Sequence, residues 1–273
     1  MRVKAVDYAR FFANVLIVIY HAHVGALGGR VAWGIGMALL CLISGWCCFR
    51  DFEREGNLAV WWRVKVAHRV KRLLVPYLLW GMMFVALYAA LAPTNADAAR
   101  RIAEAGVDGM WGAAKAVFNF TDFVLYGPLW FLRMLFAAGL LSYVWGSLFR
   151  RVGTSLGLAA ALVTGGAAQA GLAICGVHGY GTFAFVLFGI GAWAGAYGIG
   201  IRNLQGLCSR RAFTGSKWVE TWMLPTGMFV YILHLAVLRI WPNVFAGILL
   251  PMVIWHVLRR VCPTVLKVLE GRG

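Results

Sequence analysis

The chain has 273 residues, of which 62% are hydrophobic and 13% are charged, and its mean hydropathy is +0.75. This composition excludes an ordinary soluble domain and indicates a protein that crosses the membrane several times. The formal net charge is +16, but the basic residues collect at the ends of apolar segments, so we expect no nucleic-acid partner. The six cysteines form no CxxC pair, which indicates neither a disulfide framework nor a metal site.

The apolar segments predict an all-α polytopic membrane protein, a single domain over residues 1–273 with about eight transmembrane helices. The predicted helices are roughly 10–28, 32–49, 73–92, 129–148, 153–174, 181–200, 223–241 and 244–258. With the N-terminus inside, the segments predicted to be inner hold most of the arginine and lysine. The positive-inside rule therefore places both termini in the cytoplasm of a multi-pass protein of the cell (inner or plasma) membrane.

The first predicted helix carries a polar stripe. At about 100° per residue, four polar side chains fall within roughly 60° of one another, namely Asp7, Arg10, Asn14 and His21. A polar stripe in lipid usually faces the protein interior or a water-filled cavity. His21 suits a general base because its ordinary pKa lies near neutrality, although a histidine bonded to a neighbouring helix is an equal alternative. Arg10 is interpreted either as half of an ion pair with Asp7 or as a group that meets an anionic donor.

A second signal is the basic run at residues 68–77. Arg69 and Arg72 are three positions apart and are predicted to share a helix face, with Lys71 beside them. Arginine side chains bind phosphate through two parallel hydrogen bonds. The alternative is an ordinary positive-inside cluster at a helix end.

Two long connections flank the third predicted helix. The inner one, 50–72, is basic and contains Trp61 and Trp62, which favours an amphipathic helix lying along the membrane interface. The outer one, 93–127, contains several acidic residues and is predicted to select the acceptor.

Further polar groups lie on two other predicted helices. Ser44 and Gly45 bring a hydroxyl and a glycine into the second helix, either for function or for helix packing. Tyr231 and His234 share a face of the seventh helix, at a depth comparable to that of His21. His234 is therefore either a second polar group in the same cavity or a buried histidine with structural partners.

Taken in order, six segments resemble the acyltransferase family 3 membrane proteins, namely DYARFFANVLIVIYH (7–21), LISGW (42–46), RVKRLLVPY (69–77), PLWFL (128–132), FVLFGI (185–190) and FVYILH (229–234). The resemblance implies transfer of an acyl group, most often acetyl, from cytoplasmic acyl-CoA to a hydroxyl of a sugar or surface glycan. It also implies roles for Arg10 and His21, for the arginines at 69 and 72, and for the Ser-Gly element.

The chain departs from the family pattern in two respects. Family members commonly have about ten membrane helices of about 20 residues each, and the missing pair is expected between the sixth and seventh helices, at 201–222. Part of the acceptor site is then absent or built by a homo-oligomer. Trp46 also follows the Ser-Gly element, where the family usually has phenylalanine.

The resulting hypothesis has acyl-CoA phosphates on Arg69, Arg72 and Lys71, with Arg10 nearby, while His21 takes the proton of a sugar hydroxyl. Substrate binding is assigned to Asn14, Ser44, Tyr231 and His234, and no metal is expected. A transporter or exporter of a glycan or lipid-linked sugar is the alternative from another class, because polar stripes and basic inner loops serve that role too. A family member that has lost catalysis with its missing helices is a third.

Overall fold

The computed structural model describes residues 4–22, 26–52, 56–118, 126–175, 183–199 and 217–271. Within these ranges the chain is helical and contains no strand, which confirms the all-α prediction. The helices are α1 Lys4–His21, α2 Ala26–Phe49, α3 Leu58–Arg69, α4 Val75–Leu91, α5 Ala96–Glu104, α6 Met110–Phe118, α7 Leu129–Ile174, α8 Ala184–Ala196, α9 Gly227–Ile240, α10 Val244–Val261 and α11 Pro263–Leu269.

Five helical stretches in the described part of the chain are long and apolar enough to cross a membrane, and they are Leu27–Phe49, Leu58–Leu91, Leu129–Ile174, Val219–Ile240 and Val244–Val261. The longest, α7, has 46 residues and would measure about 69 Å if it were straight, at 1.5 Å per residue. Gly153 interrupts it with φ 66° and ψ −174°, a conformation that glycine adopts without a steric penalty. This break lies at the predicted boundary between the helices 129–148 and 153–174.

Helix boundaries differ from the predictions at the N-terminus. α1 begins at Lys4 and ends at His21, while α2 already begins at Ala26, so the predicted range 10–28 spans parts of both helices. The prediction started the helix where the apolar run starts. The polar first turns are nevertheless helical, because hydropathy marks apolar runs and not the helix ends that lie beyond them.

The basic connection 50–72 contains a helix, α3, that packs on the bundle. α3 continues into α4 through a π-helical turn at Val70–Leu74. Trp61 is 2% exposed and packs against the rings of Phe49 and Phe52, at centroid distances of 4.9 and 5.1 Å. α3 therefore packs against the bundle through its aromatic side chains. The outer connection contains two helices, α5 and α6, that were not predicted, and residues 201–216 of the polar stretch 201–222 lie outside the described ranges.

Close contacts between α2 and α8 depend on glycine. A Cβ atom on Gly45 would overlap the backbone of Phe188 and Ala192, and one on Gly191 would overlap the backbone of Leu42. Small residues let helix backbones approach closely in membranes, where apolar side chains gain little from burial between helices. The packing alternative predicted for Gly45 is therefore confirmed, and α2 and α8 form a tightly fitted pair.

Candidate active site

Two contacts fix how α1 lies against α9. The Nδ2 of Asn14 donates a hydrogen bond to the backbone oxygen of Gly227 at 2.8 Å, and the ring centroids of His21 and His234 lie 5.1 Å apart. Both steps, from 14 to 21 and from 227 to 234, cover seven positions, or about 10.5 Å of helix. The two helices are therefore parallel and in register, and the part of the polar stripe that holds Asn14 and His21 faces α9.

His234 is 1% exposed, and its hydrogen bonds define which ring nitrogen carries the proton. Nδ1 lies 2.6 Å from the backbone oxygen of Tyr231 and 3.2 Å from that of Val230. Carbonyl oxygens only accept hydrogen bonds, so Nδ1 is the protonated nitrogen and Nε2 carries a lone pair. Nε2 is buried and has no hydrogen-bond partner among the described residues.

The turn that carries His234 is held by Tyr126. The Tyr126 hydroxyl donates to the backbone oxygen of Ile232 at 2.6 Å and accepts from the backbone N–H of Ala236 at 3.1 Å. These two backbone groups form one i→i−4 pair of α9, so the hydroxyl contacts both members of a pair that encloses His234. The Tyr126 ring stacks on Phe84 of α4 at a centroid distance of 3.5 Å.

Burial raises the pKa of the Tyr126 hydroxyl, so Tyr126 stays protonated and able to donate at physiological pH. Sequence reasoning missed this residue. Its role depends on contacts with backbone atoms more than 100 positions away, and no local pattern announces such contacts.

Arg69 points into the bundle, between α7 and α8. Its Nη1 donates to the backbone oxygen of Leu135 at 2.5 Å, and its guanidinium lies over the Phe188 ring at 5.2 Å. One turn along α7, Phe131 packs against Tyr231 at 5.4 Å. Because Phe131 and Leu135 are four residues apart, the Arg69 guanidinium that bonds to Leu135 and the Tyr231 ring that packs on Phe131 lie about 6 Å apart along the α7 axis. The fold therefore brings Arg69 within about one turn of the level of Tyr231, while His234 lies three residues further along α9.

Lys71 and Arg72 have a different environment from Arg69, because both are exposed while Arg69 is half-buried. The predicted common face assumed α-helical spacing, but the segment forms a π turn in which the Val75 N–H bonds to Val70, with more residues per turn. Of this basic group, the structure brings Arg69 into the bundle and leaves its two neighbours at the surface.

The remaining predicted site residues lie toward the other end of α1 and on α2. Arg10 is half-buried and close enough to Cys47 on α2 to act on it electrostatically. It lies about 16 Å from His21 along α1. Ser44 is half-buried on α2, beside the glycine at 45 that abuts the backbone of Phe188. The Ser-Gly element thus supports the residue on which Arg69 rests.

Arg133 is a second residue that sequence reasoning missed. It lies in the first turns of α7, directly after the PLWFL segment, and is 1% exposed. A charged side chain in the interior of a membrane helix is costly and is a functional candidate by default. This rule, applied to every predicted helix rather than to the first, would have found it.

No group of three or more histidine, cysteine, aspartate or glutamate side chains within the described ranges is placed to hold a metal ion. What the arrangement offers chemically is a pair of imidazoles for proton transfer and an arginine that binds anions.

Comparison with known proteins identifies the family of the chain. The family model described as "Acyltransferase domain" matches residues 3–261, nearly the whole chain. No curated protein matches, and no solved structure matches. The six segments that resemble acyltransferase family 3 all lie within the matched residues, and the chain belongs to this family of membrane acyltransferases.

Proposed function

We propose that this acyltransferase moves an acyl group, most simply acetyl, from cytoplasmic acyl-CoA to a hydroxyl of a sugar or cell-envelope glycan. The observation that supports this most directly is the neighbouring pair His21 and His234 between α1 and α9, about 10 Å along the helix axes from the Leu135 carbonyl that Arg69 reaches. A proton acceptor and a cation for an anionic donor are then available to a single bound thioester.

On the donor side, Lys71 and Arg72 are exposed and meet the phosphates of acyl-CoA first. Arg69 lies further inside the bundle than these two side chains. Its guanidinium already donates to one backbone carbonyl, and its other N–H groups can bind a phosphate or the thioester oxygen. Arg10, toward the same end of α1, adds positive charge to the approach.

On the acceptor side, His21 acts as the general base. It takes the hydroxyl proton as the oxygen attacks the thioester carbonyl carbon, a C–O bond forms, and the C–S bond breaks. The proton then passes from His21 to the departing CoA thiolate. Tyr231, Ser44 and Asn14 line or support the site, and Asn14 does so by holding α1 in register with α9 through Gly227.

The membrane topology belongs to the same proposal. Both termini lie in the cytoplasm of a multi-pass cell-membrane protein, so the basic donor end is cytoplasmic and the acceptor arrives from the other side with membrane lipid around the bundle. A second copy of the chain completes the acceptor side if the family's two further helices are absent.

The test is thiol release from acetyl-CoA by the purified, detergent-solubilised protein, with and without a panel of methyl hexopyranosides as acceptors. Wild type is compared with His21→Ala and Arg69→Ala. His256→Ala is the matched histidine control, because its Nε2 contacts the backbone of Trp222 on another part of the bundle. Arg63→Ala is the matched arginine control, because Arg63 is exposed on the same helix as Arg69.

We expect acceptor-dependent release by wild type and both controls. Loss of one general base removes about 10²–10⁴-fold of rate, so His21→Ala should release little thiol. Full activity in a folded His21→Ala protein would refute the assigned base. Absence of release by a folded wild type, together with passage of unmodified glycan in reconstituted vesicles, would favour the transporter. Binding of CoA without turnover would favour a family member that has lost catalysis.

A further inference from the structure

The reaction proposed above uses His21 as the base and assigns no role to the buried ring nitrogen Nε2 of His234. His234 Nε2 carries a lone pair because Nδ1 donates to backbone carbonyls. The side chain is 1% exposed, and Nε2 has no hydrogen-bond partner among the described residues. Leaving a buried acceptor unsatisfied is costly, so a group that supplies an N–H or O–H donor to this nitrogen is strongly favoured there.

The position of this lone pair restricts what the donor is. The rings of His21 and His234 face one another at 5.1 Å, so a substrate atom bonded to one ring is a near neighbour of the other. A hydroxyl has a single proton to donate. In the proposed reaction that proton goes to His21, and the same hydroxyl cannot also satisfy His234. The substrate must bring a second donor, held close to the first.

We infer that the acceptor presents two neighbouring hydroxyls, a vicinal diol of a sugar ring, to this histidine pair. One hydroxyl gives its proton to His21 and becomes acylated, while its neighbour donates a hydrogen bond to His234 Nε2 and is not acylated. This inference rests on the proposed function and adds a specificity-determining role for His234. Tyr126 contacts the backbone on both sides of His234 and thereby holds His234 Nε2 in place.

A site built to bind a hydroxyl rejects an analogue that lacks it, because the buried partner is then left unpaired. Of the hexopyranosides in the panel, the one that gives the fastest thiol release is compared with its singly deoxygenated analogues. We expect removal of the reacting hydroxyl to abolish transfer. Removal of the neighbouring hydroxyl should lower kcat/KM by about 10- to 100-fold in wild type.

Two substitutions at the same position separate hydrogen bonding from structure. His234→Phe keeps a ring but has no acceptor nitrogen, so it should transfer to the parent sugar and the neighbouring-deoxy analogue at rates within about twofold of each other. His234→Gln retains an acceptor oxygen and should keep part of the discrimination. Equal transfer to parent and analogue by wild type overturns the inference. Discrimination between the two sugars that persists in His234→Phe also overturns it. So does a loss of rate by the same factor on both sugars in both variants, because the effect is then purely structural.

A binding measurement makes the inference independent of turnover. In protein labelled with ¹⁵N-histidine, the His234 Nε2 resonance, identified by its loss in His234→Gln, is followed during titration with trans-cyclohexane-1,2-diol and, separately, with cyclohexanol. The diol should move this resonance and the mono-alcohol should not. If wild type releases no thiol, the proposed function fails, and this titration still decides the inference: a diol-specific shift supports it, and equal responses or no response overturn it.

Discussion

Gly45 offers the sharpest test of how the fold supports the site. A Cβ atom added there would lie well inside 3.0 Å of the Phe188 backbone oxygen, a separation that real Cβ atoms do not show, and 2.7 Å from the backbone nitrogen of Ala192. Both opposing atoms are backbone, so no side-chain rotation relieves the overlap and α2 must move away from α8. The displaced residue at 188 is the one on which Arg69 rests.

The magnitude follows from two opposing effects. Overpacking costs about 1–3 kcal/mol, and the upper end applies because two backbone atoms are involved. Replacing a helical glycine by alanine returns about 1 kcal/mol. The net destabilisation of Gly45→Ala is about 2 kcal/mol, or about 4–8 °C in Tm for a chain of this size. Gly34 lies on the same helix, and a Cβ atom added there would meet nothing within 4 Å, so Gly34→Ala should be neutral or slightly more stable.

The assay is thermal unfolding of the detergent-solubilised protein, followed by tryptophan fluorescence, for wild type and both glycine variants. KM for acetyl-CoA is measured alongside, and we expect it to rise in Gly45→Ala because Arg69 loses its support. A Gly45→Ala protein as stable as Gly34→Ala would refute the reasoning, since it would mean that α2 and α8 are not packed backbone to backbone.

Three further predictions concern individual side chains. Tyr126→Phe keeps the ring stack and removes two hydrogen bonds. Because the backbone pair can bond to itself, we expect a stability loss of only about 1 kcal/mol. We expect kcat to change by a larger factor than KM for acetyl-CoA. Arg69→Lys keeps the charge and loses the planar fork, so KM for acetyl-CoA should rise at least severalfold, and an unchanged KM would remove Arg69 from the donor site. Hydrogen bonds from Arg100 and Arg101 lower the pKa of Asp97, so its contribution to stability is present at neutral pH and is lost as the pH falls through the folded-state pKa. The Tm difference between wild type and Asp97→Asn should therefore shrink in acid, below about pH 4. It should be small at every pH because the Asp97 side chain is 41% exposed. A difference that grows in acid would contradict the lowered pKa of Asp97.

Local pattern was sufficient for much of the architecture. Hydropathy predicts an all-helical membrane protein because every spanning backbone must bond to itself. The interruption of α7 at Gly153 was predictable for a related reason, since a helix of 46 residues is longer than the membrane needs and contains the basic pair Arg150 and Arg151 just before the glycine. The ordered segments also identify the family, because the segments keep their sequence order and most of their residue types.

Side-chain environments near a helix irregularity could not be predicted in the same way. Arg69 and Arg72 should share a face at α-helical spacing, but the π turn at Val70–Leu74 changes the angle between them. Whether a turn widens to π geometry depends on packing along the whole helix. One arginine therefore lies against α7 and α8, while the other is exposed.

The polar stripe of α1 is a property of the sequence alone, since helical periodicity places Asn14 and His21 on one face wherever the helix packs. Periodicity does not determine which helix packs against that face. Parallel packing against α9 makes His234 the neighbour of His21. The carbonyls at 230 and 231, together with Tyr126 from a distant part of the chain, set its tautomer and position. Those contacts join residues far apart in sequence, and only the packed bundle turns two separate histidines into one site.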